Sequence, residues 1–239
     1  MRLDRYLANM GCGSRTEVRK LVRSGNVTVN EQSVKDESFQ INPGVDVVVC
    51  WGAEVAYREH IYLMLNKPAG VVSATEDPKE RTVLDLIDPK YLNKGVFPVG
   101  RLDKDTEGLL ILTNNGDLGH KLLSPKKKVP KRYYAKVSGR IGPEDFKSFR
   151  TGIILDDGYQ TMPAELELLQ AGDPNEVLVV IQEGKYHQIK RMFQALDKQV
   201  VYLKRVAMGG LTLDPNLKNG AYRELTDEEI GILSEAGMV

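Results

Sequence analysis

The sequence has little of what disulfide frameworks, metal centres and membrane spans require. Its two cysteines, Cys12 and Cys50, lie far apart and outside any C-x-x-C spacing, which argues against a zinc ribbon or a disulfide framework. The three histidines are not paired at helical spacing, so a metal site is disfavoured. No stretch approaches the ~20 apolar residues of a membrane span, and the charged N-terminus lacks a signal-peptide core. We therefore expect a cytoplasmic protein without a metal.

Net charge is also absent, because 33 basic residues balance 33 acidic ones. The distribution is nevertheless uneven: no acid occurs between Asp117 and Glu144, and residues 1–24 hold six basic residues against two acidic ones. Local patches of one sign determine the field that a phosphate backbone experiences. The two basic segments favour a nucleic-acid partner, although a solvated surface explains the lysine run 126–128 equally well.

The first fifty residues predict two helices followed by short strands. Ser14 and Glu17 form a capping box at the start of the second helix, and Gly25 is placed to end it. Alternating segments predict strands at 27–29, 38–41 and 45–49. One edge of the second helix carries three arginines at i, i+4 and i+8, namely Arg15, Arg19 and Arg23.

The segments LDRYL, SRTEVRKLVRSG and GNVTVN, in this order, resemble the S4 RNA-binding domain. The resemblance implies an S4-like domain over residues 1–58 whose arginine row binds RNA phosphates. The alternative is a helical cap on the larger domain.

From residue 59 to 239 the pattern changes to strands separated by glycine and proline. Strands are predicted in the segments IYLMLNKPAGVVSA, VLDLI, GLLILTN, RYYAKVSG, LELL, EVLVVI and VVYLKRV. Helices are predicted at HQIKRMFQAL and LTDEEIGILSEAG. This pattern indicates an α+β domain with a mainly antiparallel sheet and flanking helices.

Three acids, Asp103, Asp105 and Glu107, precede a buried strand in GRLDKDTEGLLILTNNGDL. From the residues alone they could form a metal site, a glycosidase-like acid pair, a single nucleophile or a polar turn. Close neighbours in one loop rarely face each other across a substrate, which disfavours the glycosidase pair without excluding it.

Four motifs together resemble the RsuA-type RNA pseudouridine synthases: NKPAG, GRLDKDTEGLLILTNNG, KRYYAKV and EGKYHQIKRMF. The resemblance covers nearly the whole chain. It implies a cofactor-independent isomerase that detaches uracil from a ribose in ribosomal RNA and rejoins it through C5. An aspartate would stabilise C1′, bond to it or abstract the 2′ proton, and these routes stay open.

The resemblance also assigns site residues. Asp103 is the catalytic carboxylate, and Lys185 is the basic partner that keeps it ionised. Tyr133 stacks on the uracil and Ile189 forms the apolar wall of its pocket. Arg101 fills the space that the flipped base leaves. The remaining assignments are Lys67, in NKPAG, as an RNA-binding residue, and His187, Lys190 and Arg191 as residues that position a helix or contact phosphate.

The expected partner is small-subunit (16S) rRNA, because large-subunit relatives often carry a long basic tail and this chain ends soon after an acidic helix. A monomer is expected. The alternatives are a large-subunit (23S) rRNA synthase, a non-catalytic S4-type assembly factor and a nucleoside hydrolase.

Overall fold

A computed structural model describes residues 1–57, 60–92 and 94–237. The chain divides into two compact units, Met1–His60 and Ile61–Val239, here called the N-terminal and C-terminal units. The predicted domain boundary between residues 58 and 59 lies outside the described residues. Within them, no helix combines the length and apolarity that crossing a membrane requires.

The N-terminal unit packs two helices against a small sheet. Its elements are α1 (Leu3–Asn9), α2 (Arg15–Arg23), β1 (Val27–Val29), β2 (Gln32–Ser33), β3 (Val48–Cys50) and β4 (Ala53–Glu54). The sheet order is β2-β1-β3-β4 with antiparallel pairing. The predicted capping box is present, since the Ser14 hydroxyl accepts from the Glu17 amide and the Glu17 carboxylate accepts from the Ser14 amide. Leu3, Leu7 and Val22 are fully buried between these layers.

The predicted strand at 38–41 is wrong. The carboxylate of Asp36 accepts from both the amide and the hydroxyl of Ser38, which bends the chain into a turn. Pairing in this segment is limited, in the described residues, to an isolated bridge between Gln40 and Arg2. Local side-chain hydrogen bonds thus outweigh the alternating pattern.

The C-terminal unit is built on a large sheet. Its strands are β5 (Tyr62–Lys67), β6 (Phe97–Pro98), β7 (Glu107–Thr113), β8 (Lys131–Ser138), β9 (Glu165–Gln170), β10 (Asn175–Ile181), β11 (Gln199–Met208), β12 (Leu211–Thr212) and β13 (Tyr222–Glu224). Its helices are α3 (Pro89–Leu92), α4 (Gly116–Leu123), α5 (Pro143–Thr151), α6 (Gln188–Gln194) and α7 (Asp227–Ala236). The main order is β13-β5-β7-β11-β8-β10-β9, with β12 beside β11 and β6 beside β7. The predicted α+β class with a mainly antiparallel sheet is confirmed.

One parallel pairing joins the two halves of this sheet. Lys204 and Arg205 of β11 pair with Glu107 and Gly108 of β7 in parallel, whereas the other paired strands named above are antiparallel. A Cβ atom on Gly108 would lie 2.2 Å from the carbonyl oxygen of Arg205. Glycine therefore permits the close approach of the two backbones.

Strand β7 is buried on both faces. Leu110 and Leu112 belong to the core on one face, and Leu109 and Ile111 belong to the core on the other. Because side chains alternate along a strand, this accounts for the unbroken apolar run GLLIL. The loop that precedes β7 is consequently anchored, at its C-terminal end, by a strand that is buried on both faces.

The segment VLDLI was predicted as a strand and forms a 3-10 helix instead, Val83–Leu86. The carboxylate of Asp85 accepts from the amide and hydroxyl of Thr82, so it caps a helical turn. Helices α4 and α5 were not predicted, although Asn115 caps the first and Pro143 begins the second.

Candidate active site

The loop 100–106 carries Asp103 and is held by several hydrogen bonds. The amide of Thr106 donates to the Asp103 carbonyl, closing a tight turn. The Ser73 hydroxyl bonds both the amide and the carbonyl of Leu102, and the Gly70 amide donates to the Lys104 carbonyl. The backbone on both sides of Asp103 is therefore fixed before any substrate binds.

Lys67 is the central support of this loop. Its side chain is 0% exposed, and its ammonium lies 3.0 Å from the Asp103 carbonyl, 2.9 Å from that of Thr106 and 3.3 Å from that of Lys104. Burial lowers the pKa of Lys67 to about 8. The prediction that Lys67 contacts RNA is corrected, because an enclosed ammonium bonded to backbone carbonyls cannot reach a phosphate.

The carboxylate of Asp103 faces two groups from the start of α6. Lys190 Nζ lies 3.1 Å from Oδ2, and His187 Nε2 lies 3.6 Å from Oδ1. Lys190 also pairs with Asp105 at 2.5 Å. Burial by itself would lower the pKa of Lys190, but the hydrogen bonds to Asp105 and Asp103 together raise it. Lys190 therefore stays charged beside Asp103.

Lys185 lies at the same cavity but has a different neighbour. Its ammonium is 4.5 Å from the centre of the Tyr159 ring, a cation–π contact. Sequence reasoning assigned the partner of Asp103 to Lys185 and gave Lys190 a supporting place; the ion pair in the structure is made by Lys190. The motif EGKYHQIKRMF contains both lysines, one on a turn and one on a helix. Their spacing could therefore not show which of them pairs with Asp103.

The turn before α6 is shaped by two residues that sequence reasoning missed. The Gln188 side chain accepts from the Lys185 amide and donates to Glu183. Glu183, which is buried, also accepts from the Tyr159 hydroxyl at 2.6 Å. His187 immediately precedes α6 and lies in the left-handed region, with φ of 48°. Both residues belong to the EGKYHQ motif, and the motif itself is the sequence signal for these roles. In the structure its polar residues have buried partners.

A small recess lies beside Asp103. Tyr133 and Ile189 are both buried and both line it, together with Leu203. A cavity of about 800 Å³ adjoins the recess. Residues that line both spaces are Arg101, Leu102, Asp103, Tyr133, Gly184, Lys185 and His187. The structure thus brings five predicted residues, Arg101, Asp103, Tyr133, Lys185 and Ile189, to one site.

In the N-terminal unit, the arginine row of α2 is exposed as predicted, yet two of its members are already paired. Arg19 Nε lies 3.4 Å from Asp4, and Arg23 makes two hydrogen bonds to Glu37. The bond from Arg23 lowers the pKa of Glu37 to about 2. Arg15 forms no ion pair within residues 1–57, so its exposed guanidinium is not held by an acidic side chain.

Comparison with known proteins agrees with this geometry. The family model described as RNA pseudouridylate synthase matches residues 61–195, and that of the S4 domain matches residues 1–47. The chain is 50% identical to an RNA pseudouridine synthase of Bacillus subtilis (strain 168), covering 98% of this chain and 99% of the relative.

Two further similarities extend over both units. The ribosomal small subunit pseudouridine synthase A of Escherichia coli (strain K12) is 37% identical, covering 96% of this chain and 98% of the relative. A crystal structure of a pseudouridylate synthase is 36% identical with a TM-score of 0.68, covering 98% of this chain and 99% of that one. The chain belongs to the RNA pseudouridine synthase family and carries an N-terminal S4 domain.

Proposed function

We propose that this protein converts a specific uridine of small-subunit rRNA to pseudouridine, with Asp103 as the catalytic carboxylate. The observation that carries the proposal is the position of Asp103. Its side chain is 26% exposed, stands on a braced loop and borders a recess lined by Tyr133 and Ile189. The similarity to small-subunit synthases over nearly the full length supports the choice of substrate.

The reaction needs a base outside its helix and a carboxylate at the sugar. Flipping costs a few kcal/mol, which is recovered when the uracil packs against the Tyr133 ring and the Ile189 side chain. Arg101 is exposed at the cavity, and in this proposal its side chain fills the vacated stack. Asp103 then faces the ribose, and the Lys190 ammonium lies beside the Asp103 carboxylate at the reacting centre.

The bonds balance without any added group. The N1–C1′ bond breaks and its electron pair leaves with the uracil, which rotates in the recess. C5 then bonds to C1′, the proton on C5 is lost, and N1 gains a proton. Asp103 compensates the electron deficiency at C1′ while the glycosidic bond is open.

The N-terminal unit supplies affinity rather than chemistry. Exposed arginines on α2 provide sequence-independent contacts to RNA phosphates. We further propose that a single chain acts alone, since the site residues named above all come from one C-terminal unit; sedimentation of the active protein tests this.

The decisive experiment uses the loss of the C5 proton. Small-subunit and large-subunit rRNA, each with 5-tritiated uridine, are incubated separately with the pure protein, and tritium in water is counted. We expect release from small-subunit rRNA at a stoichiometry of one site. Tritium release from large-subunit rRNA alone would mean that large-subunit rRNA is the target. Free uracil in solution would mean that the protein hydrolyses the glycosidic bond and does not isomerise the uridine.

A further inference from the structure

Two buried cations line the large cavity but not the small recess. They are Lys131 and Arg205, and Gly100, Leu123 and Pro125 are among the other residues that line the large cavity alone. Lys131 is 7% exposed and Arg205 is 2% exposed, so both cations are largely withdrawn from water. Buried charges are normally paired or bound to a ligand.

Arg205 has donor capacity that the protein does not use. Its Nε donates to the Leu109 carbonyl at 2.8 Å. Its Nη2 is buried and has no hydrogen-bond partner in the part of the chain that the structure describes. A buried guanidinium group with an unused donor is costly, and an anion in the cavity would satisfy it.

Lys131 also makes fewer hydrogen bonds than its ammonium group allows. Its ammonium donates to the Val129 carbonyl at 2.9 Å, and an ammonium has three donors. Burial, and after it the Arg205 cation, lower the pKa of Lys131 to about 8. The nearby carboxylate of Glu183 opposes this effect, but it already accepts from Tyr159, Met162 and Gln188. Among the described residues, neither cation forms an ion pair with a carboxylate, and the charge of Glu183 is the acidic charge that acts on Lys131.

The register of the sheet places these cations next to the expected base. Arg205 of β11 lies directly opposite Tyr133 of β8. Lys131 lies two positions from Tyr133 on the same buried face of β8, which corresponds to about 7 Å along the strand. One nucleotide spans such a separation between its base and a neighbouring phosphate.

We propose that Lys131 and Arg205 form a binding subsite for a backbone phosphate of the RNA adjacent to the flipped uridine. The inference rests on the proposed function and specifies how that site holds its substrate. Cations outnumber acids around the cavity, which suits a polyanion. They are Arg101, Lys104, Lys131, Lys185 and Arg205, against Asp103 and Glu183.

The subsite also gives the lysine run 126–128 a role. Pro125 lines the large cavity and begins the short 3-10 helix Pro125–Lys127. Lys126 lies in this helix and Lys128 follows it directly, and both are exposed. The RNA strand leaves the subsite along this run, so the basic segment continues the path of the backbone.

The test measures binding of small probes to the full chain, without turnover. Uridine, uridine 3′-monophosphate, uridine 5′-monophosphate and inorganic phosphate are titrated by NMR against wild type, Lys131→Met, Lys131→Arg and Lys136→Met. Lys136 is the matched control, because it lies on the same strand but on the opposite face and pairs with Glu176. Thermal unfolding checks that each variant is folded.

We expect one of the two monophosphates to bind wild type at least roughly tenfold more tightly than uridine, the effect of charge-assisted hydrogen bonds. Lys131→Met should abolish this gain, Lys131→Arg should retain most of it, and Lys136→Met should leave it unchanged. A gain that persists in Lys131→Met, or no gain for either monophosphate, overturns the subsite. If inorganic phosphate binds as tightly as the nucleotide, the assignment to an RNA phosphate is wrong.

These outcomes are separable from the proposed function. Tritium release from rRNA reports the reaction, whereas the phosphate gain reports the subsite. A chain that shows the gain but releases no tritium keeps the subsite and loses the proposed activity.

Discussion

Asp103 pairs with Lys190 across the cavity mouth, with 3.1 Å between Oδ2 and Nζ, while the ammonium of Lys185 rests on the Tyr159 ring. The cation that pairs with this carboxylate is thus on the helix α6, not on the turn before it. This separates two lysines that are only five positions apart and makes their roles testable.

Lys190→Met should lower the saturated single-turnover rate by about tenfold or more, the loss expected for one charge-assisted hydrogen bond to the Asp103 carboxylate. Lys185→Met should lower this rate less, because the Lys185 ammonium contacts the Tyr159 ring. Single-turnover kinetics of both variants and wild type at saturating RNA measure the difference. The opposite order would mean that Lys185 replaces Lys190 beside Asp103 once RNA is bound.

Asp103→Asn should reduce isomerisation by at least about a thousandfold, since an amide supplies no charge at C1′. Folding should be retained, because the loop is held by backbone hydrogen bonds and by Lys67. Asp105→Asn is the matched control: Asp105 is exposed and pairs with the same lysine, and its replacement should cost little activity. Tritium release from both variants decides, and near-normal activity of Asp103→Asn would remove this aspartate from the mechanism.

Lys67 should titrate with a measurable effect on stability. The folded chain releases its proton near pH 8, whereas the unfolded chain holds it to about pH 10.5. Between these values the folded state binds fewer protons, so the contribution of Lys67 to the free energy of unfolding rises with pH. The difference in this free energy, wild type minus Lys67→Met, should be constant below pH 8.

Above pH 8 that difference should grow by at most about 1.4 kcal/mol per pH unit. Urea unfolding at pH 7, 8, 9 and 10 measures it. Lys131 has a similarly lowered pKa but is present in both proteins, so its contribution cancels. A difference that does not change with pH would show that the Lys67 ammonium titrates as it does in the unfolded chain.

The arginine row should contribute unequally to RNA binding. Arg15→Gln should reduce the slope of log K against log salt by roughly 0.7 to 0.9, the value for one lost phosphate contact. Arg23→Gln should have a smaller effect, because Arg23 must first leave Glu37. Glu37→Gln frees Arg23 and should tighten binding. Equal slopes for all three variants and wild type would indicate that the row is only a solvated helix face.

Gly108→Ala should destabilise the C-terminal unit by at least about 3 kcal/mol. Its φ is +100°, and the new methyl carbon would lie 2.2 Å from the Arg205 carbonyl oxygen. Gly116→Ala is the control, because nothing lies within 4 Å of its Cβ position and it starts a helix. Chemical denaturation should show a neutral or slightly stabilising effect there. Similar values for the two variants would contradict the close β7–β11 contact.

Much of the fold could be predicted because its signals are local. The capping boxes of α2 and α7 and the apolar run of β7 each identify an element within a few residues. The two wrong strands, at 38–41 and 83–87, failed for the same physical reason. In each, an aspartate side chain bonds a nearby amide and hydroxyl and bends the backbone into a turn.

The sequence predicted which residues form the site better than it predicted the contacts between them. The four motifs located Asp103, Tyr133 and Ile189, which the structure brings to one recess. The place of Lys67 depends on carbonyl groups of a loop 36 to 39 positions away, and no local pattern encodes them. Likewise, Arg205 and Lys131 come near each other through the register of β11 with β8, which no local sequence pattern encodes.

The parallel pairing of β7 with β11 has a consequence for biosynthesis. Arg205 and Leu109, which meet across this seam, are 96 positions apart, so the ribosome makes nearly the whole chain before they can join. Loop 100–106 lies on one side of the seam, and the turn before α6 reaches it from the other. A nascent chain that ends before residue 199 carries Asp103, Tyr133 and Lys185 yet lacks the strand that aligns them. We expect such a chain to be inactive, because a non-local contact of this kind forms late in folding.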